Sequence, residues 1–271
     1  MAKKKVALID ADGLVYATGA VSETVYYTIE DLRFDYKSQA NEHADEIGLP
    51  RDAIERNVDA QPASHALNAI RTTVEAVIEQ TQAEQVEIYL SNLDGDNFRN
   101  LIYPDYKKQR KHSERPVHFK AIRNWLLVSQ NAIVTHGLEP DDLMAIRAQE
   151  LTTLGTPFTI VTNDKDMMQI PGDHYNWSKH TFKTVKPWDA MYSLYTQILV
   201  GDSIDNVKGC PGIGPAKART ALKGATTEEE LLDATFEAYK KAYSGDEAKA
   251  KELMVLNIKL VRLVTKRPEV Q

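Results

Sequence analysis

Four short apolar runs, Val6–Ile9, Val86–Leu90, Ala132–Val134 and Phe158–Thr162, alternate with stretches of helical periodicity, and this alternation constrains the fold most. Runs of three to five residues without regular polar alternation read as strands buried on both faces. Leu67, Ile70, Val74, Val77 and Ile78 recur at the spacing of one helix face, and a second helical pattern runs from Asp141 through Leu143, Ile146 and Ala148. Strand–helix alternation leads to parallel pairing, so the expected class is α/β, a mostly parallel sheet flanked by helices.

In such sheets ligands collect at the carboxyl ends of the strands. Here those ends are acidic: Asp10 follows the first run, Asn92 and Asp94 the second, Asp164 and Asp166 the fourth. From about Met191 the pattern changes to helix and turn, with two or three amphipathic helices over 227–271. The expected division is therefore an α/β region over 1–190 and a helical region over 191–271. Residues 22–62 read as irregular, polar and partly helical, with no role assigned.

Composition excludes several classes. The 271 residues are 42% hydrophobic and 27% charged, as in ordinary globular chains. No apolar run approaches the ~20 residues that span a bilayer. Only four apolar residues follow the basic start before Asp10, short of the ~7–15 of a signal-peptide core. A single cysteine, Cys210, precludes an internal disulfide and a cysteine-based zinc site, so a cytoplasmic protein is expected. The net charge of −6 hides a polarity. Eight basic residues and two acidic ones lie between Arg99 and Arg123, while acids gather in short motifs beside the apolar runs.

Those motifs are Asp10-x-Asp12, Glu139-x-Asp141-Asp142, Asp164-x-Asp166 and Asp202-x-x-Asp205. Any one of them could hold a turn or cap a helix. Together, at strand ends, they would repel one another unless divalent cations neutralised them. Oxygen-only ligation suits Mg²⁺ or Mn²⁺, and two such ions ~4 Å apart would clamp a scissile phosphate. None of the seven histidines forms an HxxxH or HExxH pair, and neither a GxxxxGK[ST] loop nor a GxSxG elbow occurs. His136 reads as a strand-end or core residue.

Two segments point to nucleic acid. In Gly209–Ala218 the turn Gly212-Ile213-Gly214 precedes a helix, where free amides can face a phosphate, and Lys217 one turn further adds charge. Over 98–111 basic and aromatic residues interleave: Arg99, Lys107, Lys108, Arg110 and Lys111 can neutralise phosphates, while Phe98 and Tyr103 read as packed inward.

The ordered set LIDADG (8–13), GDNFRNLIYPDYKKQRK (95–111), GLEPDDLMA (137–145), TNDKDMMQI (162–170) and GDSIDNVKGCPGIGPAKA (201–218) resembles the structure-specific 5′-nuclease, or flap endonuclease, superfamily. That group includes the 5′-nuclease domain of bacterial DNA polymerase I and phage 5′–3′ exonucleases. The resemblance implies a PIN-like catalytic domain over 1–190 with a helical arch around 98–123. It also implies a helix–hairpin–helix variant in a DNA-binding region over 191–271. Asp10, Glu139 and Asp141 would surround one metal and Asp164, Asp166, Asp202 and Asp205 the other, with Asp142 near both. Arg99 and Lys107 would belong to a mobile arch that threads a free 5′ end, Lys107 acting on the scissile phosphate. Gly212 and Gly214 would hold duplex DNA, with a potassium ion. Where the family usually carries an aspartate this chain has Asn92, so either Asn92 or the nearby Asp94 would serve there.

The expected function is thus Mg²⁺-dependent hydrolysis of DNA phosphodiesters from a 5′ end, as 5′–3′ exonuclease, flap endonuclease or both. No polymerase-like region follows, so a monomeric stand-alone enzyme of phage or small bacterial type is expected, in the host cytoplasm if phage-encoded. Its partners would be branched or double-stranded DNA, with RNA–DNA hybrid as a further candidate, and no membrane. The alternatives are a non-catalytic DNA-junction binder, suggested by Asn92, and a PIN-type ribonuclease, which the basic arch and glycine turn disfavour.

Overall fold

Val6 to Ile9 are at most 1% exposed, and for that reason the run carries no polar residue. In the computed structural model, which describes residues 3–108 and 114–266, they form the middle of a six-stranded sheet. Along the first half of the chain come β1 (Val6–Asp10), α1 (Asp12–Ala20), β2 (Glu23–Ile29), β3 (Leu32–Phe34), α2 (Lys37–Glu46), β4 (Glu55–Ala60), α3 (Ala63–Thr81) and β5 (Gln85–Leu90). Then follow α4 (Phe98–Ile102), α5 (Phe119–Ser129), β6 (Ile133–Val134), α6 (Pro140–Thr153), β7 (Phe158–Val161), β8 (Gly172–Asn176) and β9 (Thr181–Val185). The helices α7 (Pro187–Val200), α8 (Pro215–Ala221), α9 (Glu228–Ala242) and α10 (Glu247–Val261) complete the order.

The chain divides into two compact units. The first comprises Met1–Asp12, Val77–Ser113 and Ala132–Gln271. Its sheet has the order β6-β5-β1-β7-β8-β9, parallel throughout except for β9. The expected α/β class with a mostly parallel sheet flanked by helices is therefore the observed one. Val6 and Leu8 pack with Tyr89 and Ile160 against Met144, Ala145, Ala148 and Leu151 of α6. Pro140 opens that helix, its fixed φ and missing N–H costing nothing in a first turn.

The β8–β9 hairpin went unread in the sequence because its strands lack an apolar run: in β9 only Val185 is buried. Beyond it, Leu194, Tyr195, Ile198 and Leu199 of α7 form a second core with Leu231, Tyr239, Met254 and Leu260. The buried Tyr239 hydroxyl donates to Ile198 O at 2.8 Å and accepts from Asn257 Nδ2, leaving no wasted polar group there.

The second unit comprises Gly13–Ala76 and Glu114–Asn131. It corrects the reading of 22–62 as irregular: β2 pairs antiparallel with both β3 and β4, and α2 lies over this small sheet through Ala40, Ala44 and Ile29. The β-branched and aromatic run Glu23–Ile29 carried the strand signal, but its half-exposed pattern lacks the continuous burial that marks β1. Among the described residues no helix is long and apolar enough to cross a membrane.

The connection from α7 to α8 turns on two glycines. Gly201 ends α7 at φ 75° and Gly209 sits at φ 66°, with their backbones in direct apposition. A Cβ at Gly201 would fall on the Val207 carbonyl and the Gly209 amide; one at Gly209 would fall on Val200 and Gly201. Only glycine fits such a closure. Gly201→Ala should lower unfolding free energy by about 2–4 kcal/mol, measured by denaturant titration. A loss below that measurement's error would show that the closure tolerates a side chain.

Candidate active site

The carboxyl edge of the parallel sheet is where the acids meet. Glu139, Asp141, Asp164, Asp166, Asp202 and Asp205 line one small cavity, together with Arg99, Tyr106 and Lys107. Each comes from a position the topology supplies. Glu139 is the N-cap of α6 and Asp141 lies in its first turn. Asp164 and Asp166 follow β7, where Asp164 Oδ1 accepts the Asp166 amide at 2.8 Å. Asp202 and Asp205 lie on the loop after Gly201, closed by paired backbone bonds between Asp202 and Val207.

Asp10 ends β1, and its Oδ2 accepts from the Thr162 hydroxyl at 3.0 Å. Burial, then the charges of Asp12 and Asp164, push its pKa up to about 7. Asp141 is raised well above the usual carboxylate range, first by burial and then by Asp10, Asp164 and Glu139. Asp166 rises to about 6, from burial and then from Asp164 and Asp202. These are the marks of acids crowded together without enough positive charge. Asp202 is the exception. Burial works against its charge, but Lys165 and the amides of Ile204 and Asp205 outweigh it and hold the pKa low.

Cationic and hydroxyl side chains stand among these acids. Lys107 Nζ pairs with Glu139 Oε1 and lies 3.5 Å from Asp205 Oδ2. The Tyr106 hydroxyl lies 2.9 Å from Glu139 Oε2 and 3.3 Å from Asp205 Oδ2, bridging the two. The backbone repeats this link, since Lys107 N donates to Asp205 O at 3.0 Å and Asn206 Nδ2 to Asp105 O at 2.9 Å. Lys107 adopts φ 54° here, a conformation uncommon for a residue with a Cβ. The sequence reading missed Tyr106, whose only signal was its place between Tyr103 and Lys107 in an aromatic–basic segment.

Several expected site residues have other settings than the sequence suggests, Arg99 in the cavity wall among them. Arg99 was assigned to a mobile arch, but it is 1% exposed and fixed. Its guanidinium donates to Asp142 Oδ2 at 2.6 Å and Oδ1 at 2.8 Å, to Leu260 O at 2.8 Å, to Arg262 O at 3.0 Å and to Glu139 Oε2 at 3.2 Å. Asp142, expected near both metals, is fully buried. It also accepts the Glu139 and Val264 amides, so its lone pairs are spent within the protein. Asn92 and Asp94 do not line the cavity, and neither does Asp10, although its charge acts on Asp141. Asn92 Oδ1 instead accepts the Asp94 amide at 2.7 Å, forming a local turn.

The DNA-contact candidates also lie apart from the cavity lining. Lys108 pairs with Asp105 at 3.0 Å on the surface, and Lys217 Nζ donates to Gly212 O at 2.9 Å. Gly212 has φ 72°, whereas Gly214 is extended and caps α8. Arg110 and Lys111 lie outside the described residues.

The donor set of this cavity is hard carboxylate oxygen, which fits Mg²⁺, Mn²⁺ or a similar cation rather than zinc held by sulfur. As they stand, with lysines interposed, no three His, Cys, Asp or Glu side chains among the described residues are arranged to hold an ion. The acids are gathered at one place without yet converging on one point.

A 5′-3′ exonuclease of Buchnera aphidicola subsp. Schizaphis graminum is 27% identical over 62% of this chain and 62% of its own length. A 5′-3′ exonuclease of Aquifex aeolicus is 31% identical over 62% of this chain and 61% of its own. The chain thus spans about three fifths of these curated relatives, and its match to DNA polymerase I of Rhizobium leguminosarum spans 17% of that protein. Among solved structures, the T5 D15 protein co-crystallised with metal ions shares the fold, with a TM-score of 0.64 over 97% of this chain and 90% of that one at 15% identity. The model of the 5′-3′ exonuclease N-terminal resolvase-like domain matches residues 52–194, more than half of the 271. The chain belongs to that family.

Proposed function

We propose that the chain is a divalent-metal-dependent 5′ nuclease that hydrolyses DNA phosphodiesters, as 5′–3′ exonuclease, flap endonuclease or both. The observation that carries this reading is the meeting of six acids from separate chain segments in one cavity beside Lys107. Relatives named 5′-3′ exonuclease and flap endonuclease Xni support the reaction class. In this reading Asp10, Glu139 and Asp141 hold one Mg²⁺ or Mn²⁺, and Asp164, Asp166, Asp202 and Asp205 the other. The bound ions would supply an activated water and neutralise the leaving oxygen.

The protein's own groups supply orientation. Tyr106 joins Glu139 to Asp205 and so holds members of the two proposed ligand sets at a set separation. Arg99 braces Glu139 from within the core. Lys107, set among the acids, presents a cation where a phosphate would enter. Against the non-catalytic junction binder, Asn92 holds the Asp94 amide in a local turn, while the acids that line the cavity are all present.

The remaining assignments belong to the same proposal: catalysis over 1–190, and DNA held over 191–271 by a helix–hairpin–helix-type turn, with K⁺ at Gly212 and Gly214. Lys108, Arg110, Lys111 and Lys217 would contact branched or double-stranded DNA, or an RNA–DNA hybrid. A monomer in the cytoplasm completes the reading. The open space at the Cβ positions of Gly212 and Gly214 supports backbone access to a phosphate.

A 5′-labelled flap duplex, blunt duplex, RNA–DNA hybrid and single-stranded RNA, each incubated with Mg²⁺ or EDTA, provide the test. Mg²⁺-dependent release of short products from DNA is expected; DNA binding without cleavage, or cleavage of single-stranded RNA alone, would overturn the reading. Asp164→Asn should reduce cleavage by at least about 100-fold while DNA binding in EDTA stays within about threefold. Lys107→Ala should slow the single-turnover rate by roughly 10–1,000-fold, and an unchanged rate would remove Lys107 from the reaction.

The raised carboxyls also set a stability profile. A carboxyl whose folded pKa exceeds its unfolded value favours the fold below the unfolded value, and loses that contribution as pH rises through the folded one. With Asp10 at about 7 and Asp166 at about 6, their contribution should fall between about pH 4 and 7 in EDTA. Mg²⁺ at one fixed concentration, 10–100 times its Kd at pH 8, should restore about 1.4–2.7 kcal/mol at pH 8 and less at pH 5.5. Thermal melts with and without Mg²⁺ measure this, and equal Mg²⁺ shifts at the two pH values would contradict it.

A further inference from the structure

Lys165 stands in sequence between Asp164 and Asp166, and its ammonium pairs with Asp202 Oδ2 at 3.0 Å. The two partners differ sharply in setting: the Asp202 side chain is 5% exposed, the Lys165 side chain 70%. The other carboxylate oxygen, Asp202 Oδ1, takes the backbone amides of Ile204 at 2.8 Å and Asp205 at 3.3 Å. Lys165 therefore sits on the oxygen that the loop's own amides do not engage. Across the cavity Lys107 occupies Glu139 and approaches Asp205 in the same manner.

Two cations cannot share Asp202 Oδ2 cheaply. A Mg²⁺ bound there would stand ~2.1 Å from the oxygen, and an ammonium at hydrogen-bond distance from that oxygen would then face a double positive charge a few ångströms away. One of them must leave. A long, mostly exposed side chain gives up such a pair at little cost, because its ammonium returns to water. Asp202 cannot follow it, being buried and held by two amides.

We propose that Lys165 is a positioning residue and internal counter-ion of the metal site. It neutralises and orients Asp202 while the site is empty, and it swings into solvent when a divalent cation enters. It thereby weakens cation binding at the Asp164–Asp166–Asp202 side and keeps the empty cluster from springing apart. This rests on the reading above that these acids bind a divalent cation. It also accounts for the presence of six acids in one cavity with no three of them arranged around a point among the described residues. The lysines hold the carboxylates in a cation-paired arrangement that entry of the ion rearranges.

The test is Mn²⁺ binding to the metal-free protein, followed by electron paramagnetic resonance and calorimetry without substrate. Wild type is compared with Lys165→Met, Lys165→Arg and, as an exposed control on β9, Lys183→Met. Lys165→Met should bind Mn²⁺ roughly three- to tenfold more tightly, from the loss of one competing charge. Lys165→Arg should stay near wild type, as should Lys183→Met. In an Asp202→Asn background, Lys165→Met should tighten binding by less than about twofold, the remainder acting through Asp164 and Asp166. Unchanged or weaker binding by Lys165→Met, equal tightening by Lys183→Met, or tightening of undiminished size without Asp202 would each overturn the proposal. Wild-type protein that binds no Mn²⁺ would instead bring down the nuclease reading itself, and the proposal with it.

Discussion

The buried pair of Arg99 and Asp142 is the interaction on which the site depends. It joins three parts of the first unit that are far apart in sequence: α4, the first turn of α6 and the segment after α10. Two charges taken out of water repay their desolvation only when the geometry is good and the remaining donors and acceptors are used. Here they are used, because Arg99 also donates to the carbonyls of Leu260 and Arg262, and Asp142 accepts the amides of Glu139 and Val264. Loss of one member would strand the other as an unpaired buried charge, typically at a cost of about 3–5 kcal/mol. Because Arg99 also touches Glu139, the same pair that secures the core sets the orientation of a cavity acid.

Above that base the site is a problem in charge density. The parallel sheet brings its carboxyl ends to one edge, and the chain places acids after β1 and β7, at the start of α6 and on the loop after α7. Burial and then mutual repulsion raise Asp10, Asp141 and Asp166, whereas Asp202 is lowered. Asp202 differs from the raised acids in having a lysine hydrogen bond and two backbone amides together on its carboxylate. The Gly201–Gly209 closure matters for the same reason: it shapes the loop that delivers Asp202 and Asp205 to the other acids.

Much of this was legible in the residues. β1, β5 and β7 announce themselves as apolar runs because central parallel strands are buried on both faces, and the strand-end acids follow from their position after those runs. The β8–β9 hairpin and the β3-β2-β4 sheet were not legible, since half-exposed strands carry mixed residues that resemble loops. Among site residues, six acids from three of the four motifs line the cavity, whereas Asp142 is bound to Arg99 in the core and Tyr106 went unread. An arginine in a basic segment looks solvated, and nothing local in its neighbours reveals a carboxylate forty-three residues away that draws it into the core.

The sequence by itself determined the class of the fold and the kind of chemistry the chain can hold. Apolar periodicity decides which segments become strands and helices, and the side chains at their ends are set by the order of residues alone. Only the tertiary structure decided which acids face the cavity and which are consumed within the protein. Asp141 and Asp142 are neighbours in one motif, yet one lines the site while the other is locked onto Arg99. Their roles diverge because adjacent residues on a helix point about 100° apart, and what each then meets depends on segments that arrive from elsewhere in the chain.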